Sequence, residues 1–158
     1  MIRLYGDGGH AKVIKDILRV TGKGFMVVTS ILPQLPEGPK ISDGHWIVAI
    51  GANGKRKSAA SALAAAGAKF TLAIHPSVIE SLDVAIGEGT VIMAGAIIQP
   101  GCRIGRHVIV NTGATLDHDC VIGDFVHIGP GCTLCGDVHV SEGKMVPAGT
   151  VLYQGARW

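Results

Sequence analysis

Counted in steps of six from Ile86, the chain reads Ile86, Ile92, Ile98, Ile104, Val110, Leu116, Ile122, Ile128, Leu134, Val140, Val146 and Leu152. Neither the 3.6-residue period of an amphipathic helix nor the strict alternation of a long strand produces this run. Four residues after each aliphatic comes, for the most part, a small residue: Ala96, Cys102, Ala114, Cys120, Cys132, Thr150 and Ala156, with Lys144 as the exception. Three residues after it, glycine recurs at 89, 95, 101, 113, 131, 143, 149 and 155. A fixed hexapeptide period predicts a parallel β-helix, each hexad supplying one short inward-facing strand and one corner.

Residues 1–72 follow a different pattern. IRLY, FMVVTS and HWIVAI read as apolar strands, and AKFTL as a fourth. Between the first two, AKVIKDILRV places Ala11, Ile14, Ile17 and Leu18 on one helical face. GANGKRKSAASALAAAGA opens with a Gly/Asn turn and continues as an Ala-rich helix, and the proline-rich ILPQLPEGPKISDG reads as a loop. Strand–helix–strand order predicts a small parallel, Rossmann-like sheet with right-handed crossovers. The expected division is an α/β domain over 1–74 and a β-helix over 75–158.

Composition narrows the partners. A net charge of +2 and 4% aromatics give no reason to expect a nucleic-acid surface. No apolar run reaches the length of a membrane span, so no membrane insertion is expected. The opening MIRLYGDGG lacks the layout of a signal peptide, and four cysteines without one fit a reducing cytoplasm.

The hexad pattern resembles the left-handed β-helix of hexapeptide-repeat acyltransferases, where three hexads make one coil of 18 residues. In that register His118 lies two residues past the inward Leu116, at a corner, with Asp119 beside it. Gly136 stacks one coil above, about 5 Å along the axis. A base, a carboxylate that fixes its tautomer and an amide for an oxyanion make a minimal kit for acyl transfer. Position alone leaves a plainer reading open, because a histidine at a solvent corner is commonly just polar surface. His107 and His139 are read that way.

A closer resemblance bears on the choice. The stretch VIVNTGATLDHDCVIGDFVHIGPGCTLCGDVHV resembles the catalytic segment of bacterial sugar acetyltransferases of the sialic acid O-acetyltransferase-like family, nearest to those that N-acetylate UDP-linked 4-amino-sugars in bacillosamine synthesis. The resemblance implies a general base at His118, its partner at Asp119 and an oxyanion donor at Gly136. It implies acetyl-CoA contacts at His127, Gly136 and Ala148. YGDGGHAKVI resembles the family's nucleotide-sugar turn, implying substrate contacts at Gly8, Gly9 and His10. AIGANGKRKS resembles its second such turn, implying Gly51 and Asn53, and IHPS its junction into the helix. The implied protein is a cytoplasmic homotrimer that uses acetyl-CoA and no metal to acetylate a nucleotide-linked amino-sugar. Alternatives are O-acetylation of sialic acid or a related sugar, and a non-catalytic or zinc-dependent β-helix trimer.

Other motifs are weaker. Gly6, Gly8 and Ala11 match G-x-G-x-x-A, but Thr29–Ser30 stand where a dinucleotide site, and the family's nucleotide-recognising acidic pair, would have carboxylates. The turn still suits a phosphate at a helix start. CTLC at 132–135 has no second CxxC to complete a zinc site, and Cys102, Cys120 and Cys132 fall in small inward slots. His107, His118, His127 and His139 are spaced by 11, 9 and 12, which does not match the His-x4-His pair of β-helix carbonic anhydrases. Family members carry further coils before a closing segment resembling VPAGTVLYQGARW, so the adenine end of a CoA site is expected to be reduced here.

Overall fold

The computed structural model describes residues 1–29 and 41–158. The loop expected over 31–44 lies outside them up to residue 40, as does Ser30; its end forms a 3-10 turn, Ile41–Asp43. The N-terminal elements are β1 (Ile2–Tyr5), α1 (Gly9–Val20), β2 (Phe25–Val28), β3 (His45–Val48), α2 (Asn53–Ala65) and β4 (Lys69–Phe70). All four strands are parallel, in the order β2-β1-β3-β4. Helix α1 buries Ala11, Ile14, Ile17 and Leu18, the face that the periodicity predicts. It begins two residues earlier than that face, so His10 lies in its first turn.

Fourteen two-residue strands then stack into three ladders with a constant offset of 18. Face 1 comprises Ala73–Ile74, Val91–Ile92, Ile109–Val110, His127–Ile128 and Met145–Val146. Face 2 comprises Ile79–Glu80, Ile97–Ile98, Thr115–Leu116, Thr133–Leu134 and Val151–Leu152. Face 3 comprises Ala85–Ile86, Arg103–Ile104, Val121–Ile122 and His139–Val140. The ladders begin two hexads before the aliphatic run, because the inward place of the second hexad belongs to the exposed Glu80. The fold is the α/β unit and left-handed parallel β-helix that the sequence predicts.

The repeat has a physical cause at each of its positions. From Ile92 to Leu152 the inward residues are all buried and form one continuous core. The residue three places after each of the twelve aliphatics has a positive φ, which explains the glycines. Four such corners lack glycine: His107, Asp119, Phe125 and Asp137, with φ between 53° and 60°. The small slot has a second task. Thr90 Oγ1, and the Sγ atoms of Cys102, Cys120 and Cys132, each donate to a carbonyl 15 residues ahead, at 2.9, 3.0, 3.3 and 2.9 Å. These thiols are buried packing groups.

The N-terminal unit rests on face 1. Ala11, Ile14, Ile17 and Leu18 share an apolar cluster with Ala73, Val91, Met93 and Ile109. Helix α2 packs beside the edge between faces 3 and 1, where Leu63, Ala60 and Phe125 meet.

Candidate active site

The edge between faces 2 and 3 carries His118. Its Nδ1 is 2.9 Å from Asp119 Oδ2, and its backbone N–H donates to Asp117 Oδ1 at 2.8 Å. The bond to Asp119 raises the imidazole above its usual 6.5. With Nδ1–H held by the carboxylate, Nε2 presents its lone pair. A Cβ placed on Gly136 would fall 2.5 Å from His118 Nε2 and 2.6 Å from Cε1, so the ring lies where any side chain at 136 would go. The Gly136 carbonyl accepts from Gly155, while its amide has no protein acceptor among the described residues. Asp119 occupies one of the four non-glycine left-handed corners. A non-glycine residue held there stores strain, which marks sites under another constraint.

A second set of residues lies at the carboxyl ends of β1 and β3, between which the direction of the crossovers reverses. Open parallel sheets bind ligands at such switch points. Gly8, the N-cap of α1, and Gly9, its first residue, are exposed. Gly51 packs near His10, its added Cβ falling 3.8 Å from His10 Cβ. The floor is face 1 of the β-helix. There His127 Nε2 lies 3.0 Å from Asn111 Nδ2. His10 Nε2 is buried with no hydrogen-bond partner among the described residues. Burial pushes His10 down to about 3, helped by Arg56 and His127. Burial lowers His127 as well, again helped by Arg56. Both imidazoles are therefore neutral at pH 7. Asn53 is engaged elsewhere: its Nδ2 donates to the carbonyls of Gly143 and Lys144 at 3.0 Å each, tying α2 to the β-helix.

Arg56 was not singled out by the sequence. It is 1% exposed. Its Nε donates to His107 O at 2.9 Å; Nη1 donates to Ile50 O and Gly51 O; Nη2 donates to Asn53 Oδ1 and Phe125 O. His107 needs correction too. It is buried, not polar surface, stacked on Phe125 with centroids 5.1 Å apart and edge-on to Phe70. Burial, with Arg56 and Arg106 nearby, pushes it down to about 4. The usable signal was the missing glycine at 107 and 125. His139, by contrast, is partly exposed and 3.2 Å from Asp137 Oδ1.

The topology separates the two sets. His118, Asp119 and Gly136 sit on the edge between faces 2 and 3. His127 points outward from face 1, opposite that edge, and the crevice lies with it. Ala148 is exposed on the third edge, between faces 1 and 2. One chain thus carries the two candidate sets on opposite sides of the β-helix. No group of three or more His, Cys, Asp or Glu able to hold a metal ion is found among the described residues. No helix among them is long and apolar enough to cross a membrane.

With this geometry, the chain belongs to the hexapeptide-repeat sugar acetyltransferases. The family described as bacterial transferase hexapeptide (six repeats) matches residues 83–118. The chain is 41% identical over 110 residues to UDP-N-acetylbacillosamine N-acetyltransferase of Bacillus subtilis (strain 168), covering 59% of this chain and 51% of that protein. It thus spans about half the length of that curated relative. The acetyltransferase domain of PglB from Neisseria gonorrhoeae FA1090 superposes with a TM-score of 0.83 at 29% identity, covering 98% of this chain and 92% of that one. PerB from Caulobacter crescentus, solved in complex with CoA and GDP-perosamine, superposes with a TM-score of 0.81 at 31% identity, covering 99% and 90%.

Proposed function

We propose that the protein transfers acetyl from acetyl-CoA to the amine of a nucleotide-linked amino-sugar. The observation that carries this reading is the corner where His118 Nδ1 bonds Asp119 and its ring lies against Gly136. The amine nitrogen attacks the thioester carbonyl, forming a C–N bond. His118 Nε2 takes the proton that the nitrogen sheds. The Gly136 amide donates to the oxyanion. The C–S bond then breaks, and the proton passes from His118 to the departing thiolate. Three of the four cysteines are buried with their thiols donating to carbonyls, which supports direct transfer without an acyl-enzyme. No metal takes part.

Residues 1–74 bind the nucleotide-sugar through Gly8, Gly9, His10, Gly51 and Asn53, the last through its backbone, since its side chain tethers α2. Residues 75–158 carry the acyl chemistry, with acetyl-CoA held by His127, Gly136 and Ala148. The opposite placement of the two residue sets in one chain supports a site completed by a second copy. The contact joins unlike surfaces, so it repeats head to tail and closes a ring; the ring is a homotrimer, and the enzyme works in the cytoplasm. The relatives support the chemistry: the PglB domain has been solved in complex with acetyl coenzyme A, and PerB with CoA and GDP-perosamine.

Thiol release from acetyl-CoA, measured with UDP-, dTDP- and GDP-linked amino-sugars and with sialic acid, tests the reading. Release with an amine acceptor and none with sialic acid is expected. Release with sialic acid alone, or with no acceptor, would overturn it.

A further inference from the structure

Arg56 is a buried cation whose hydrogen-bond partners among the described residues are all neutral. Its six hydrogen-bond partners among the described residues, the five named above and Val126 O at 3.4 Å, are five carbonyls and an amide oxygen, with no carboxylate among them. Two of those carbonyls, Ile50 and Gly51, belong to the turn that walls the crevice. Two others, His107 and Phe125, belong to strained corners of the β-helix. A lone buried charge is expensive to keep, and a hydrophobic tether would be easier to accommodate. Its presence there points to a use of the charge.

We infer that Arg56 is a positioning residue for the reaction: it touches no reacting atom, but its buried charge supplies a positive field in the crevice that keeps the acceptor nitrogen unprotonated. The inference rests on the amine-acceptor reading. An amino-sugar reaches the enzyme largely as an ammonium ion and cannot attack until it loses a proton to solvent. A fixed cation nearby disfavours the ammonium form. The nitrogen then arrives with its lone pair free, and His118 has only the attack proton to remove. Burial leaves Arg56 itself with a pKa of about 10, so the field persists at neutral pH. His10 on α1 and His127 on face 1 report the field: Arg56 is among the causes that hold each down, after burial. The other charges near this junction are paired: on the crevice side Asp7 of the β1–α1 turn pairs with Lys15 of α1. Lys57 pairs with Glu142, and Arg106 with Asp124, on the outer edge.

The test compares wild type, Arg56→Lys and Arg56→Gln, each checked for folding by thermal melting. The same burial on a lysine amine, ordinarily near about 10.4, still leaves it charged at pH 7. Histidine Cε1–H NMR titrations without substrate read the field directly. In Arg56→Gln the midpoints of His10 and His127 should rise by about half a pH unit or more, with His118 unmoved, and Arg56→Lys should restore them. In kinetics, the acid limb of kcat with the amine acceptor should move to higher pH in Arg56→Gln and return in Arg56→Lys. A purely structural tether moves neither. Unmoved midpoints or an unmoved limb in folded Arg56→Gln would overturn the proposal. If that variant does not fold, Arg56→Lys decides: wild-type midpoints and limb support the role of charge, and shifted ones refute it. If wild type acetylates no amine, the function reading fails, while the titrations still judge the field.

Discussion

Gly136→Ala separates the position of the base from the stability of the fold. The new methyl would stand 2.5 Å from His118 Nε2 and 2.6 Å from Cε1. Ordinary contact needs about 3.5 Å, so the ring must retreat by about 1 Å. His118 is free to do so, because its side chain is 52% exposed. Retreat strains or breaks its 2.9 Å bond to Asp119. An off-rotamer imidazole costs about 0.5–1.5 kcal/mol, so melting should shift by only a few degrees. The rate should suffer more. A misplacement of about 1 Å lowers turnover about 10²-fold, and full loss of a general base about 10²–10⁴-fold. Alanine keeps the backbone N–H, so the oxyanion donor survives and the loss belongs to the base. The assay is thiol release at saturating acetyl-CoA and acceptor, alongside a melt. The double variant His118→Ala/Gly136→Ala should be no slower than His118→Ala alone, because both act on one group. A folded Gly136→Ala enzyme with wild-type kcat would refute the placement of His118 as base.

Other outcomes follow from the same geometry. The raised pKa of His118 means that activity, which needs the neutral base, falls as pH drops through a value above 6.5; Asp119→Asn should move that limb of kcat/KM downward. His10 and His107, pushed down to about 3 and about 4, are neutral when folded. Each adds stability that is present above 6.5 and lost as pH falls toward those values, about 2 kcal/mol each by pH 4.5, read as a falling midpoint in urea. His107→Phe should flatten that slope; an unchanged slope would show that His107 is not buried neutral. Intact mass after incubation with acetyl-CoA alone should show no acetyl adduct, and a stable adduct on Cys120 or Cys135 would contradict direct transfer.

The β-helix was legible because its core repeats: one aliphatic every six residues reports burial without any tertiary information. The placement of Gly136 over His118 was legible from the same register, while the reading of His118 and Asp119 as base and partner came from the family resemblance. What escaped was non-local. Arg56 sits in an Ala-rich helix whose sequence says only that it is helical, and its acceptors at 107 and 125 lie 51 and 69 residues away. His107 looked like another polar corner until the N-terminal unit covered it. The four corners without glycine were visible in the alignment of hexads, and at 107, 119 and 125 the substitution marks the junction or the dyad. Asn53 stood in the turn that the resemblance singled out, but only the fold shows its amide facing the β-helix.

The central claim is that His118 of one copy acts on substrate held by the crevice of another. Mixing two inactive variants, His118→Ala and His127→Ala, under conditions that exchange subunits tests it most directly. In a head-to-tail ring assembled at random from equal amounts, an interface is intact when the His127→Ala chain gives its dyad to the crevice of the His118→Ala chain, which holds for about one interface in four. The account predicts recovery of about a quarter of wild-type thiol release with the amine acceptor. A mixture that exchanges subunits and stays inactive would contradict it.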